Sequence, residues 1–427
     1  MKKPYLVFSL FLCVGMLFMS CKRDMYDSDA YQQLIAESSP FDTIDPQHTW
    51  NLTQVHSVVV VANPADVQKI SSVRILTDNP YTSEDAEILA EASCSKGDSV
   101  TLFYSSPVTL SRLYAAVSTA DGRWLLKVFY AGQQQVDFAS DVLSFEGTPK
   151  SSYQTYTYCF EDTYPDPGDN DFNDIVMRIQ KLPSLSKNEI RLRISLVAVG
   201  TLRQVASAIR LVGYDYADVE EVTIVEGHNF DPDYTIPRYF IDSSDLLLKG
   251  IHGEAVLNLF EDAHFAMYPV INTSTDGSSG SVRCYYNTYK ETDGQLKMQV
   301  SEKTLTYVVK LRNSKTVQNF TLEDIDPFIL KDFNSGKWEI HTFAYKAVEV
   351  LHQLGVSETA NSTRMTWALK IPYAQFRYPQ EGNSMGSYRD GILSGAYMTP
   401  DHSLGQWVAN CAMSTDWFRY PAIDMVY

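Results

Sequence analysis

Apolar and polar positions alternate through most of this chain. Ile190, Leu192, Ile194, Leu196 and Ala198 fall on one parity, and Glu189, Arg191, Arg193 and Ser195 on the other. A period of two sends successive side chains to opposite faces, so this stretch predicts a long strand with one buried face. Tyr156, Tyr158 and Phe160 alternate with Thr155, Thr157 and Cys159, and Ile175, Met177 and Ile179 with Val176, Arg178 and Gln180. These two runs predict a long hairpin whose polar tip is shaped by Pro165, Pro167 and Gly168. Upstream, Val58 to Val61, Val73 to Leu76, Val100 to Tyr104 and Leu113 to Val117 read as strands. Asp121-Gly122 predicts a type I′ turn between strands Leu113–Thr119 and Arg123–Phe129. Glu323 to Phe333 has helix-like content, but Pro327 limits any helix there to a short one. Asn272 to Ser281, with Gly277 and Gly280, predicts a flexible loop, and no internal repeat is visible. The expected fold class is all-β, with two β-sandwich-like domains over residues 46–145 and 150–427.

The first residues carry an address. Lys2 and Lys3 precede an apolar run from Tyr5 to Met19, too short to span a bilayer, so residues 1–20 read as a signal peptide. It closes on Phe18-Met19-Ser20-Cys21, which resembles a bacterial lipobox. Cleavage there would leave Cys21 as an acylated N-terminus, and two or more acyl chains would anchor it stably. Lys22-Arg23-Asp24 follows and resembles the export signal of surface lipoproteins of the Bacteroides group. The expected location is therefore the outer membrane, exposed at the cell surface, with residues 21–45 as a polar tether.

The net charge of −17 becomes about −19 once Lys2 and Lys3 leave with the signal. Such an acidic chain argues against nucleic acid as a partner and against direct attraction to anionic lipid. The membrane is expected as a partner only through the lipid anchor. Cys94, Cys159, Cys284 and Cys411 are more than sixty residues apart at each step and form no zinc or CxxC pattern. They read as buried apolar fillers, with two disulfides as the alternative.

The sharpest chemical signal lies in the hairpin tip. Six acids fall within the fourteen residues from Glu161 to Asp174, and the nearest bases are Lys150 and Arg178. Like charges this close repel unless water or a cation screens them. Asp169-x-Asp171-x-Asn173-Asp174 offers oxygen at alternate positions, as a tight loop around a hard cation does. The expected ligands for calcium are Glu161, Asp162, Asp169, Asp171, Asn173 and Asp174. An EF-hand loop would carry Gly at the sixth position, where Asp174 stands, and Glu at the twelfth, which is missing. The expectation is a non-helical calcium loop, and a solvated acidic turn is the alternative.

Phe160-Glu161-Asp162 with Gly168-Asp169-x-Asp171-Phe172-Asn173-Asp174 resembles the opening of the LruC-type domain of bacterial surface lipoproteins. A second block resembles that domain's C-terminal signature: Met365-Thr366-Trp367-Ala368, Ile371-Pro372, Phe376-Arg377-Tyr378-Pro379, Glu381, Ala396-Tyr397, Trp407 and Asp416-Trp417-Phe418. Phe418 stands where the pattern carries Tyr. The resemblance implies a surface-associated β-rich domain with no established reaction over 150–427. The smaller unit, 46–145, resembles immunoglobulin-like modules in its strand pattern.

No catalytic constellation is recognisable: Gly-x-Ser-x-Gly, His-Glu-x-x-His and a Gly-rich phosphate loop are all missing. Phe260-Glu261-Asp262 echoes Phe160-Glu161-Asp162, and a three-residue echo reads as coincidence. His264 near Glu261 is a weak base candidate against a packed histidine. Trp407, Trp417, Phe418 and Tyr420 read as core ahead of a sugar-stacking platform. The functional expectation is a calcium-holding binding or adhesion module for glycans or for surface or host proteins. Two alternatives stay open. One is a glycoside hydrolase with Glu161 as acid and Asp171 as base or nucleophile. The other is a structural subunit of a surface fibre.

Overall fold

The computed structural model describes residues 39–427, apart from 165–167, 228–229, 231–237, 242, 269–271, 274–278, 281–282, 295, 313–316, 318, 334–335, 343–354 and 357–364. The signal segment, Cys21, the charged triplet behind it and the tether up to residue 38 lie outside the described residues, as do Pro165 and Pro167. So does most of the expected loop at 272–281, where the described pieces, Asn272–Thr273 and Ser279–Gly280, pair antiparallel.

The chain is all-β. Two sheets form the N-terminal unit. β1 (Thr53–Val61) lies between β4 (Ser99–Pro107) and the short β7 (Gln135–Asp137). Facing them are β6 (Trp124–Tyr130), β5 (Arg112–Thr119), β2 (Ile70–Leu76), β3 (Glu87–Ser93) and β8 (Ser152–Tyr153), in that order across the sheet. Val58 and Val60 from one sheet meet Val73, Ile75, Leu113, Ala115 and Val117 from the other in a single apolar core. Alternation along each strand builds that core, as expected for packed sheets.

The turn joining β5 to β6 differs from expectation. Only Gly122 is left-handed (φ 85°), and Thr119 N–H donates to Arg123 O at 2.9 Å. This is a three-residue loop with glycine in the third place, where a type I′ turn would need both central residues left-handed. The Asp121 carboxylate ties the loop together, accepting from Arg123 Nε at 2.8 Å and from the Thr119 hydroxyl.

The second unit is a larger pair of sheets. One runs β13 (Val219–Glu226), β16 (Lys303–Leu311), β11 (Glu189–Val199), β10 (Ile175–Leu182), β9 (Thr155–Phe160) and β20 (Ala368–Ile371). The other runs β14 (Leu247–Lys249), β15 (Glu254–Phe260), β12 (Ala206–Asp215), β17 (Ile325–Phe333), β18 (Gly336–His341) and β19 (Gly355–Val356). Ile190, Leu192, Ile194 and Leu196 of β11 share a core with Ile209, Leu257 and Ile329 of the facing sheet. β9 is buried along its whole length, both parities included. Its Tyr156/Tyr158/Phe160 face joins the inter-sheet core, while Cys159 on the other face lies near Tyr378 and Tyr397 of the C-terminal segment. Burial of each such large apolar side chain is worth roughly 1.5–3 kcal/mol.

Residues 323–333 are not helical beyond one 3-10 turn at Leu322–Asp324, after which β17 begins. Pro327 fits this strand because β17 pairs with β18 only from Phe328 onward, so no ladder donor is missed on that side. All four described cysteines are free, Cys159 and Cys284 buried and Cys94 and Cys411 half-buried. Trp407, Trp417 and Phe418 are core residues, so they offer no stacking platform. Among the described residues no helix is long and apolar enough to cross a membrane.

Candidate metal centre

β9 ends at Phe160 and β10 begins at Ile175, its partner across the ladder. The acidic run is therefore the tip of the predicted hairpin. Glu161 continues past β9, its N–H donating to Trp367 O at 2.9 Å, and its side chain is buried. Its Oε1 accepts from Phe172 N–H at 2.6 Å. Gly168 comes so close that a Cβ there would sit 2.5 Å from Glu161 Oε2 and 2.4 Å from Thr163 Oγ1.

Gly168, Asn170 and Phe172 are all left-handed, with φ of 65°, 59° and 51°. This alternation coils the loop so that Asp169 and Asp171 converge on Glu161. One carboxylate oxygen from each of the three lies within 4.8 Å of the others. Oxygens 2.3–2.6 Å from a shared calcium ion stand at most about 5 Å apart, so the three fit one ion. Glu161 and Asp171 are buried and Asp169 is exposed, which leaves one side open to water for the remaining positions.

Asp171 is tied at both oxygens, Oδ1 accepting from Asn173 N–H at 3.1 Å and Oδ2 from Gly382 N–H at 2.8 Å. The other three expected ligands brace the loop. Asp162 accepts from the Thr201 hydroxyl at 2.6 Å and from Arg203 at 3.2 Å. Asp174 accepts from Asp162 N–H at 2.6 Å. Asn173 donates its amide to Pro379 O at 3.2 Å, and its Oδ1 is buried against Gly200 with no hydrogen-bond partner.

The electrostatics are those of a site short of positive charge. Among the described residues no Lys or Arg forms an ion pair with Glu161, Asp169, Asp171 or Asp174. Burial, then the charges of Asp171 and Asp169, push Glu161 well above the carboxylate range. Burial and Asp169 raise Asp171 to about 8. Asp174 is pushed up by burial and by Asp162 and Glu161. Protons or a cation must offset this charge, and hard carboxylate oxygens suit calcium.

Glu381 is a participant that local spacing did not reveal. Burial and the charges of Asp171 and Asp169 raise it to about 9, and its Oε2 is buried without a hydrogen-bond partner. It reaches the loop because its neighbour Gly382 binds Asp171 and Met385 N–H donates to Asn170 O at 2.6 Å. Its presence in the C-terminal signature block was the only sequence hint.

The echo at Phe260-Glu261-Asp262 turns out to be a structural equivalence. Both triads end a strand and aim the Glu carboxylate at loop N–H groups. Glu261 accepts from Tyr239, Phe240 and Ile241 at 2.6, 2.6 and 2.8 Å. Those three donors serve that carboxylate, and the charge of Arg238 also favours its ionised form. His264 is buried between Asp262 Oδ1, 2.9 Å from Nδ1, and Thr201 O, 2.7 Å from Nε2, so it is a packed histidine.

A family profile described as a domain of unknown function (DUF4842) matches residues 188–389, just under half of the chain. No curated protein matches the chain. Among solved structures, a chain from Bacteroides ovatus described as a candidate lipoprotein is similar, with a TM-score of 0.50 at 16% identity, over 84% of this chain and 99% of that one. At that identity the likeness is one of fold.

Proposed function

We propose that this chain is an outer-membrane lipoprotein, anchored through Cys21 and displayed at the cell surface, whose 161–174 hairpin holds calcium and stiffens a binding or adhesion module. Glu161, Asp169 and Asp171 would coordinate the ion, Glu381 would approach it from the C-terminal segment, and water would complete the shell. The observation that carries the reading is the convergence of three carboxylate oxygens within 4.8 Å, two of them from buried residues, with no base paired to them among the described residues. The lipobox-like Phe18–Cys21, the LruC-type resemblance and the fold likeness to a candidate Bacteroides lipoprotein support the location. The partners this reading favours are glycans or surface and host proteins, and the acidic charge argues against nucleic acid.

Hydrolysis by Glu161 and Asp171 is the weaker reading. A glycosidase pair flanks a bond in an open cleft, whereas both of these side chains are about 1% exposed. Calorimetric titration with calcium tests the proposal. One saturable site is expected in the unaltered chain, lost in Asp169→Asn/Asp171→Asn. Absence of binding heat, or binding that survives both substitutions, would refute it.

A further inference from the structure

The cleft where the N-terminal sandwich meets the far end of β10 has a volume of about 380 Å³ and is lined by β3, β4 and the 181–191 segment. It lies at the opposite end of β10 from the acidic loop. At about 3.3 Å per residue, the eight residues of that strand separate the two by roughly 20–25 Å. In a chain of net charge −17, three bases face this cleft: Lys181, Lys187 and Arg191. Lys187 is exposed and has no ion pair among the described residues. Arg191 makes a loose contact, Nε standing 3.9 Å from Glu189 Oε1, and its charge also acts on Glu226; that buried Nε has no hydrogen-bond partner. Lys181 Nζ donates to Phe320 O, lies 5.8 Å from the ring centroid and is already attracted by Asp324, so it contributes less to the cleft than the other two. The acid on the lining, Glu91, is already engaged by Arg74 and by the Tyr153 hydroxyl at 3.2 Å.

We propose that this cleft binds an acidic sugar, with Arg191 and Lys187 taking its carboxylate or phosphate group. The volume suits one or two sugar rings, at the lower end of the range for small-molecule sites. Ser93 and Thr101 supply hydroxyl partners, and Leu182 with Pro183 gives an apolar wall. A guanidinium fork recognises planar carboxylate or phosphate oxygens, and low-dielectric walls concentrate its field. This site is independent of the metal reading.

Calorimetry of the full-length chain in detergent, with EDTA throughout, would test it using glucuronate, glucose 6-phosphate and glucose. Saturable binding of at least one acidic sugar, with none for glucose, is expected, and the two acidic arms separate carboxylate from phosphate. Lys187→Gln and Arg191→Gln should each weaken that binding about tenfold, as loss of a charge-assisted hydrogen bond does. Lys187 is exposed on a connecting segment, so its variant tests the site even where the strand substitution Arg191→Gln perturbs folding. Binding of glucose as tight as that of the acids, no binding at all, or undiminished binding by the Lys187 variant would overturn the proposal.

Discussion

Phe172 is a buried aromatic residue in a left-handed conformation, at φ 51°. A bulky side chain rarely adopts that region, at a cost on the order of 1–3 kcal/mol that the surroundings must supply. Its burial and the 2.6 Å bond from its N–H to Glu161 do so. Gly168 makes the complementary contribution by leaving room for the same carboxylate. Gly168→Ala therefore forces a Cβ into Glu161 Oε2 and Thr163 Oγ1 in a backbone conformation that alanine disfavours. A stability loss of roughly 1–3 kcal/mol is expected from urea denaturation, together with weakened calcium binding. By contrast, Gly122→Ala meets no atom within 4 Å and should lose only the smaller cost of its left-handed φ.

Elements were legible wherever alternation was strong. The β9–β10 hairpin and β11 follow directly from their apolar parity, and the acids fall at the tip because that is where the parity stops. β3 is not legible in the sequence because Glu87-Ile88-Leu89-Ala90-Glu91-Ala92-Ser93 has the Ala and Glu content of a helix. Pairing with β2 along its edge makes it a strand. Glu381 is hidden for a different reason: a contact across more than two hundred residues leaves no local spacing to read. The charges buried on β17 and β18 were equally silent. His341 lies between Asp326 Oδ2, 2.8 Å away, and Glu339 Oε2, 3.0 Å away, and Arg210 joins Asp326 at 2.7 Å. Burial opposes its charge, yet Asp326 and Glu339 hold its pKa up at about 9. With a folded pKa above the unfolded value near 6.5, its contribution is complete below about pH 6.5 and is lost as pH rises through about 9. His341→Gln removes the cation between two buried carboxylates and should cost on the order of 3 kcal/mol in urea denaturation near pH 6. Near pH 10 the same substitution should cost much less.

Across the whole molecule, the segment leading into β1 belongs to the second unit. Phe41, Trp50 and Leu52 join the large core, and Phe41 bridges to Tyr388. Trp50 meets Trp407 edge-on with ring centroids 5.7 Å apart, and His48 Nε2 lies 3.1 Å from Trp407 O. The chain thus enters through its C-terminal segment before building the N-terminal sandwich. Trp50→Ala should cost roughly 3–5 kcal/mol. Hydrogen exchange should quicken in the short helix α1 (Leu404–Ala409) while β5, in the other core, stays protected. The same C-terminal segment carries Glu381 and Gly382 to the acidic loop, so an ion bound there would tie the hairpin to the segment covering β9.

The most direct test of that central claim is thermal unfolding of residues 30–427 in EDTA and across a calcium titration, repeated from about pH 5 to about pH 9. Without a cation, Glu161, Asp171, Asp174 and Glu381 hold protons in the folded chain that the unfolded chain releases above about pH 4.5. Their raised pKa values make the EDTA form lose stability as pH rises through the window up to about 9. Calcium takes the protons' place, so the predicted result is a saturable rise in melting temperature that grows with pH, is smaller with magnesium, and vanishes in Asp169→Asn/Asp171→Asn. A melting temperature indifferent to calcium across that range would contradict the account and leave the acidic loop as a proton-holding turn.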